Sequence, residues 1–174
     1  YPGFRGGKLR WAPENIAGAL GLVSVGNIFY VDPGRASSGG GRTIDTGYLT
    51  IAEAYAAASA DNDDVIVIAG TSATGRTAET DNITWAKRRL HMMGNSVGRK
   101  MNPRNGLGTA AALTGETTTA IFTVTGNNCI FANMSFATFQ DNNILVDVQA
   151  DYLTFLNVHF QGIGHDTTGD DTAG

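Results

Sequence analysis

The chain has 174 residues, of which 42% are hydrophobic, enough for one domain with a real core. Net charge is −4 and the pI is near 5.2, so a nucleic-acid partner is not expected; no apolar run approaches the ~20 residues of a membrane span, so no membrane partner is expected either. Only 16% of residues are charged, while 23 are Gly and Thr, Ser and Asn are frequent, a composition that favours strands and tight turns over helices.

Residues 1–27, "YPGFRGGKLRWAPENIAGALGLVSVGN", carry Arg5, Lys8 and Arg10 before the first acid, Glu14. They read as a basic, flexible arm on an acidic body. Tyr1, Phe4, Leu9 and Trp11 need somewhere to be buried, which a partner surface supplies. Tyr1, Phe4, Arg5, Lys8, Arg10 and Trp11 are therefore the expected partner-anchoring residues.

The body is expected to occupy 28–174 and to continue beyond residue 174. "NIFYVDPG" at 27–34 predicts a strand from Ile28 to Val31, stopped by Pro33. The loop "RASSGGGRT" that follows has no G-x-x-x-x-G-K-[ST] and no preceding strand that opens directly into a helix, so it is not a phosphate cradle. "LTIAEAYAAASAD" at 49–61 predicts a helix, with Thr50 and Glu53 as a capping box and Ile51, Ala54, Tyr55 and Ala58 on one face. Val65 to Ile68 is a continuous β-branched run, the pattern of a strand covered on both sides.

Further strands are expected in 88–95, 119–126, 128–136, 143–149 and 152–160. "NNCIFANMSF" at 127–136 and "ADYLTFLNVHF" at 150–160 echo each other at an offset of 24 residues: Phe131 with Phe155, Asn133 with Asn157, Phe136 with Phe160. Ile121, Phe122 and Val124 match Leu145, Val146 and Val148 at the same offset. A period in the twenties with two or more short strands per unit indicates a solenoid whose equivalent residues stack ~4.8 Å apart. The two Phe columns should be interior and the two Asn an amide ladder at a corner. Leucine-rich repeats need more Leu than these units have, and a β-sandwich needs hairpin turns and in/out alternation. The 49–61 helix would then cap the first end of the stack, and the stretch 96–118 interrupts the repeat.

The order "FYVDPG", "SSGGGRT", "LTIAEAYAAA", "NDDVIVIAGT" resembles the entry region of pectin-lyase-like right-handed parallel β-helix proteins, over roughly residues 28–160. That resemblance implies an all-β, right-handed parallel β-helix with an N-terminal capping α-helix. The family includes polysaccharide lyases, glycoside hydrolases and many phage tailspike, fibre and capsid-associated proteins.

Its enzymes need clustered Asp with calcium and an Arg base, or two or three Asp on adjacent coils. Here the expected outward positions are Thr123, Thr125, Ser135, Asp147, Gln149, Thr154 and His159, with a single carboxylate, and Arg88 and Arg89 are expected on an earlier coil without Asp neighbours. His165, Asp166, Asp170 and Asp171 form the densest polar cluster, without EF-hand spacing. Asp166, Asp170 and Asp171 are the only candidates for a metal, and calcium is the only cofactor weighed. His91 and His159 are expected at the surface or in stacks, and Cys129, the sole cysteine, as a small core residue.

The expectation is a non-enzymatic structural protein of a phage or other virus, located in the virion or otherwise extracellular. It would be trimeric and bound to capsid or tail proteins through the arm. A carbohydrate-active enzyme or a glycan-binding adhesin is the alternative.

Overall fold

Short β-branched and aromatic runs broken by Asn, Asp and Gly favour brief strands. The computed structural model describes residues 13–68, 76–79, 82–94, 106–109, 120–137 and 146–161, and they hold twelve short strands, most of this kind. These are β1 Ile28–Val31, β2 Asp64–Ile68, β3 Arg76–Glu79, β4 Ile83–Trp85, β5 Leu90–Gly94, β6 Gly106–Thr109, β7 Phe122–Val124, β8 Ile130–Ala132, β9 Ser135–Ala137, β10 Val146–Val148, β11 Thr154–Leu156 and β12 His159–Gln161. Two helices, α1 Pro13–Leu20 and α2 Ile51–Ala57, and a short 3-10 turn at Ile44–Thr46 complete the described elements.

Every strand pairing is parallel. One sheet runs β1-β2-β5-β8-β11, a second β3-β6-β9-β12 and a third β4-β7-β10, so after β1 each sheet takes every third strand. Parallel neighbours need long crossovers; the one from β1 to β2 carries the 3-10 turn and α2, and each later one contains strands of the other two sheets. The 24-residue echo appears as register: Phe131 opposite Phe155, Phe136 opposite Phe160, and Phe122 opposite Val146. The described residues therefore form mostly strands in parallel sheets, with few helices.

All three sheets contribute to one core. Phe29, Val31, Ile66, Ile68, Met92 and Phe131 of the first sheet meet Phe136 of the second and Trp85, Phe122 and Val124 of the third. Trp85 lies 5.6 Å from Phe122 and 5.7 Å from Phe131, and Phe122 lies 5.0 Å from Phe136. The other face of the first sheet is also covered: Val65, Val67, Met93 and Ala132 pack against Ile16 and Leu20 of α1. This is why 65–68 is apolar at every position, since alternate residues enter two different cores.

Several expectations need correction. The helix expected over 49–61 is confined to Ile51–Ala57; its capping box is present, with Thr50 accepting from the Glu53 amide at 3.2 Å, and Ala58 is already extended. It covers the core beside β1 and β2, and its end is held by Lys87, whose Nζ donates to the Ala58 carbonyl at 2.7 Å. The arm expected over 1–27 is interrupted by α1, because Ile16 and Leu20, one helical turn apart, both find the sheet. The run 128–136 is two strands bent at Asn133, whose φ is +51°, and 152–160 is likewise divided at Asn157, φ +50°. The stretch 96–118 contains β6, which pairs with β3 and β9, so it lengthens one pass through the sheets without breaking the pairing.

Candidate functional site

The chain leaves the first sheet at the Asn133 and Asn157 corners. A left-handed corner suits Asn, which tolerates positive φ better than other side-chain-bearing residues. Register places one corner over the other, and the Asn157 Nδ2–H donates to Asn133 Oδ1 at 2.9 Å. On either side of this amide pair the aromatic columns continue: Phe131 and Phe155 stack with centroids 5.2 Å apart and planes at 20°, Phe136 and Phe160 at 5.5 Å and 9°. Phe131 and Phe136 are fully buried, whereas Phe160 is 48% exposed and Leu156 40%. The last described strands thus carry exposed apolar side chains, joined by Tyr152 and Val148.

A second column of corners precedes the first sheet. Asp63, Arg89, Asn128 and Tyr152, each placed just before β2, β5, β8 and β11, all have positive φ. Asp63 and Arg89 are adjacent in this column, and their side chains form a two-point ion pair, Nε to Oδ1 at 2.9 Å and Nη2 to Oδ2. The Arg89 guanidinium holds the Asp63 carboxyl below its ordinary value. Next to them Arg88 pairs with Asp61 at 2.9 Å. The expectation that Arg88 and Arg89 have no Asp neighbours is thus corrected: the parallel pairing of β2 and β5 brings Asp61 and Asp63 beside them.

His91, expected at the surface or in a stack, is 1% exposed. Its Nδ1 accepts the Ile130 amide at 3.1 Å, so the proton sits on Nε2, which lies 3.3 Å from Asp63 Oδ1. The β5–β8 register begins at Met92 opposite Phe131; one position earlier, the imidazole takes the amide. Burial lowers the His91 pKa, and the Asp63 carboxylate acts against that. The arrangement joins three successive passes of the chain, and its buried imidazole is fixed in one tautomer.

Asp64, fully buried, accepts from the Asn27 amide at 2.6 Å, the Ser59 amide at 2.8 Å and Asn62 Nδ2 at 2.7 Å. It ties the entry to β1 and the segment after α2 to β2. Sequence reasoning passed over Asp63, Asp64 and His91 in these roles. A usable signal was present: "NDDV" and "RRLH" place opposite charges at the same turn, immediately ahead of two paired strands.

Of the residues expected to face outward, Thr123 and Asp147 do share a column with Thr84 on the third sheet, and Gln149 Nε2 donates to Asp147 Oδ2 at 2.6 Å. Ser135 is instead fully buried, and the His159 Nδ1 is buried without a hydrogen-bond partner among the described residues. Cys129 is buried in the core, and burial pushes its thiol pKa up, away from reactivity. Tyr1, Phe4, Arg5, Lys8, Arg10, Trp11, His165, Asp166, Asp170 and Asp171 lie outside the described residues. Among the described residues no group of three His, Cys, Asp or Glu is placed to hold a metal ion, and no helix is long and apolar enough to cross a membrane. Comparison with protein-family models, curated proteins and solved structures finds no match to this chain.

Proposed function

We propose that the three parallel sheets are the faces of a right-handed parallel β-helix similar to those of the pectin-lyase-like proteins. In this reading the chain is a non-enzymatic structural protein of a virus particle, bound to capsid or tail through residues 1–12 and assembled as a homotrimer. The observation that carries the reading is the outward column Thr84, Thr123, Asp147, in which the carboxylate lies beside threonines rather than a second carboxylate. Glycoside hydrolysis takes two carboxyls ~5–9 Å apart. A column of threonines offers hydroxyls for contact instead of an acid and a base.

Two further features support a structural role. The first end of the stack is closed, with α2 on the core and the β1 edge satisfied by Gly41 and Tyr48. The ion pairs and imidazole contact of Asp63, Arg89 and His91 bind successive passes together. The test is attachment to gradient-purified particles by the chain with and without residues 1–12. Loss of attachment with unchanged β-rich circular dichroism is the expected result; equal attachment by both forms would remove the anchor.

A further inference from the structure

Ile28, Val65, His91, Ile130 and Thr154 follow one another in a column across the first sheet. Where β2 joins β1, the Val65 amide donates to the Asn27 carbonyl at 2.9 Å, and where β11 joins β8, the Thr154 amide donates to the Cys129 carbonyl at 3.0 Å. Ile130 holds the same place where β8 joins β5, yet its amide donates to the Nδ1 of His91 at 3.1 Å. A side chain has replaced the backbone carbonyl as acceptor at this join.

The replacement changes what the join responds to. A carbonyl accepts at any pH, whereas an imidazole nitrogen accepts only while it carries no proton. A proton on Nδ1 sets one N–H against another, donor facing donor, in a site where the side chain is buried. On its other side the ring meets Asp63 Oδ1 at 3.3 Å. Hydrogen bonding to Arg89 holds the Asp63 carboxyl below its ordinary value, so it stays anionic in mild acid and attracts an imidazolium. Protonated His91 is thus drawn towards β2 and repels the Ile130 amide of β8.

From this geometry we infer that His91 is an acid-operated latch: protonation releases the join between β5 and β8 at Ile130 and leaves the join between β2 and β5 in place. The extent of pairing favours the same join. β2 and β5 are in register from Asp64–Leu90 to Ile68–Gly94, whereas β5 and β8 are in register only at Met92–Phe131 and Met93–Ala132. The charged groups that bear on the imidazole are Asp63 and Arg89, themselves paired. Asp64 is turned to Asn27, Ser59 and Asn62. On the same face of the sheet α1 brings only Glu14, which is exposed, and burial raises the pKa of Tyr30, which stays neutral. Burial also lowers the pKa of His91 from 6.5, so the latch is closed above that value and is released as pH falls from it through the lowered folded one.

The experiment follows amide hydrogen exchange in the full chain by nuclear magnetic resonance, with each rate corrected for the intrinsic effect of pH. Between pH 8 and 5 the protection of Ile130 should fall about tenfold, while that of Val65 and Thr154, whose acceptors are carbonyls, should change by less than about threefold. The imidazole Nδ1 resonance should move to its protonated position over the same range. In His91→Gln, which offers an acceptor that does not titrate, Ile130 protection should be independent of pH. If that variant does not fold, the comparison of the three amides and the imidazole resonance in the native chain still decides. Equal changes at all three amides would make the acid response global and overturn the latch. So would a fall at Ile130 that persists in His91→Gln, or one that occurs at a pH where Nδ1 remains unprotonated.

Discussion

Asn157 gives one side-chain N–H to the Oδ1 of Asn133 across 2.9 Å, and both residues hold left-handed backbone. Each Asn therefore serves twice, as the residue that turns the corner and as one rung of the ladder. The two roles separate by substitution. Asn133→Gly keeps the corner and loses the rung, costing about 1 kcal/mol, whereas Asn133→Leu loses both and costs about 2–3 kcal/mol. Chemical denaturation of both variants checks this; equal losses would mean that the amide contributes nothing.

Tyr152 occupies the preceding column of left-handed corners with φ +58° while 81% exposed. Little packing offsets the backbone cost at that position. Tyr152→Asn is expected to raise stability by about 0.5–1 kcal/mol. A lower thermal midpoint would show that the ring contributes more than its exposure indicates.

His91 makes stability depend on pH. Burial lowers its pKa from 6.5, so the unfolded chain takes up the proton first as pH falls. Protonation at Nδ1 also removes the acceptor of the Ile130 amide. The charged groups around it are Asp63, which favours the cation, and Arg89, which opposes it. The His91 contribution is complete above the unfolded value near 6.5 and is lost as pH falls through that value towards the lowered folded one. The slope cannot exceed about 1.4 kcal/mol per pH unit for one proton. Urea midpoints at pH 8 and 5.5 should differ in the native chain and differ less in His91→Gln. An identical difference in both would assign the acid sensitivity to other groups.

Asp64 accepts three hydrogen bonds inside the fold. Asp64→Ala strands the Asn27 and Ser59 amides and should cost about 3 kcal/mol or more. Amide exchange at these two residues should accelerate along with the global loss. Exchange that stays slow would show that other acceptors take the amides.

How much of this was legible in the sequence varies from element to element. Ile28–Val31 and Val65–Ile68 announce themselves by β-branched runs. The 24-residue echo is visible because stacked columns select the same residue type. By contrast, "RTAE" of β3 and "GLGT" of β6 carry no apolar pattern, since their pairing rests on backbone groups. Helix α1 is short, and its buried Ile16 and Leu20 sit among glycines that read as an arm. The Asp63–Arg89 pair was obscured because β2 and β5 are 26 residues apart and β5 and β8 are 39 apart, so the 24-residue period does not extend to them.

The most direct measurement is co-sedimentation of the chain with intact, gradient-purified virus particles, scored against the major capsid protein. The proposed structural role predicts a fixed stoichiometry that survives repeated banding. Recovery of the chain only as free protein would contradict that role and direct attention to cleavage of acidic polysaccharides.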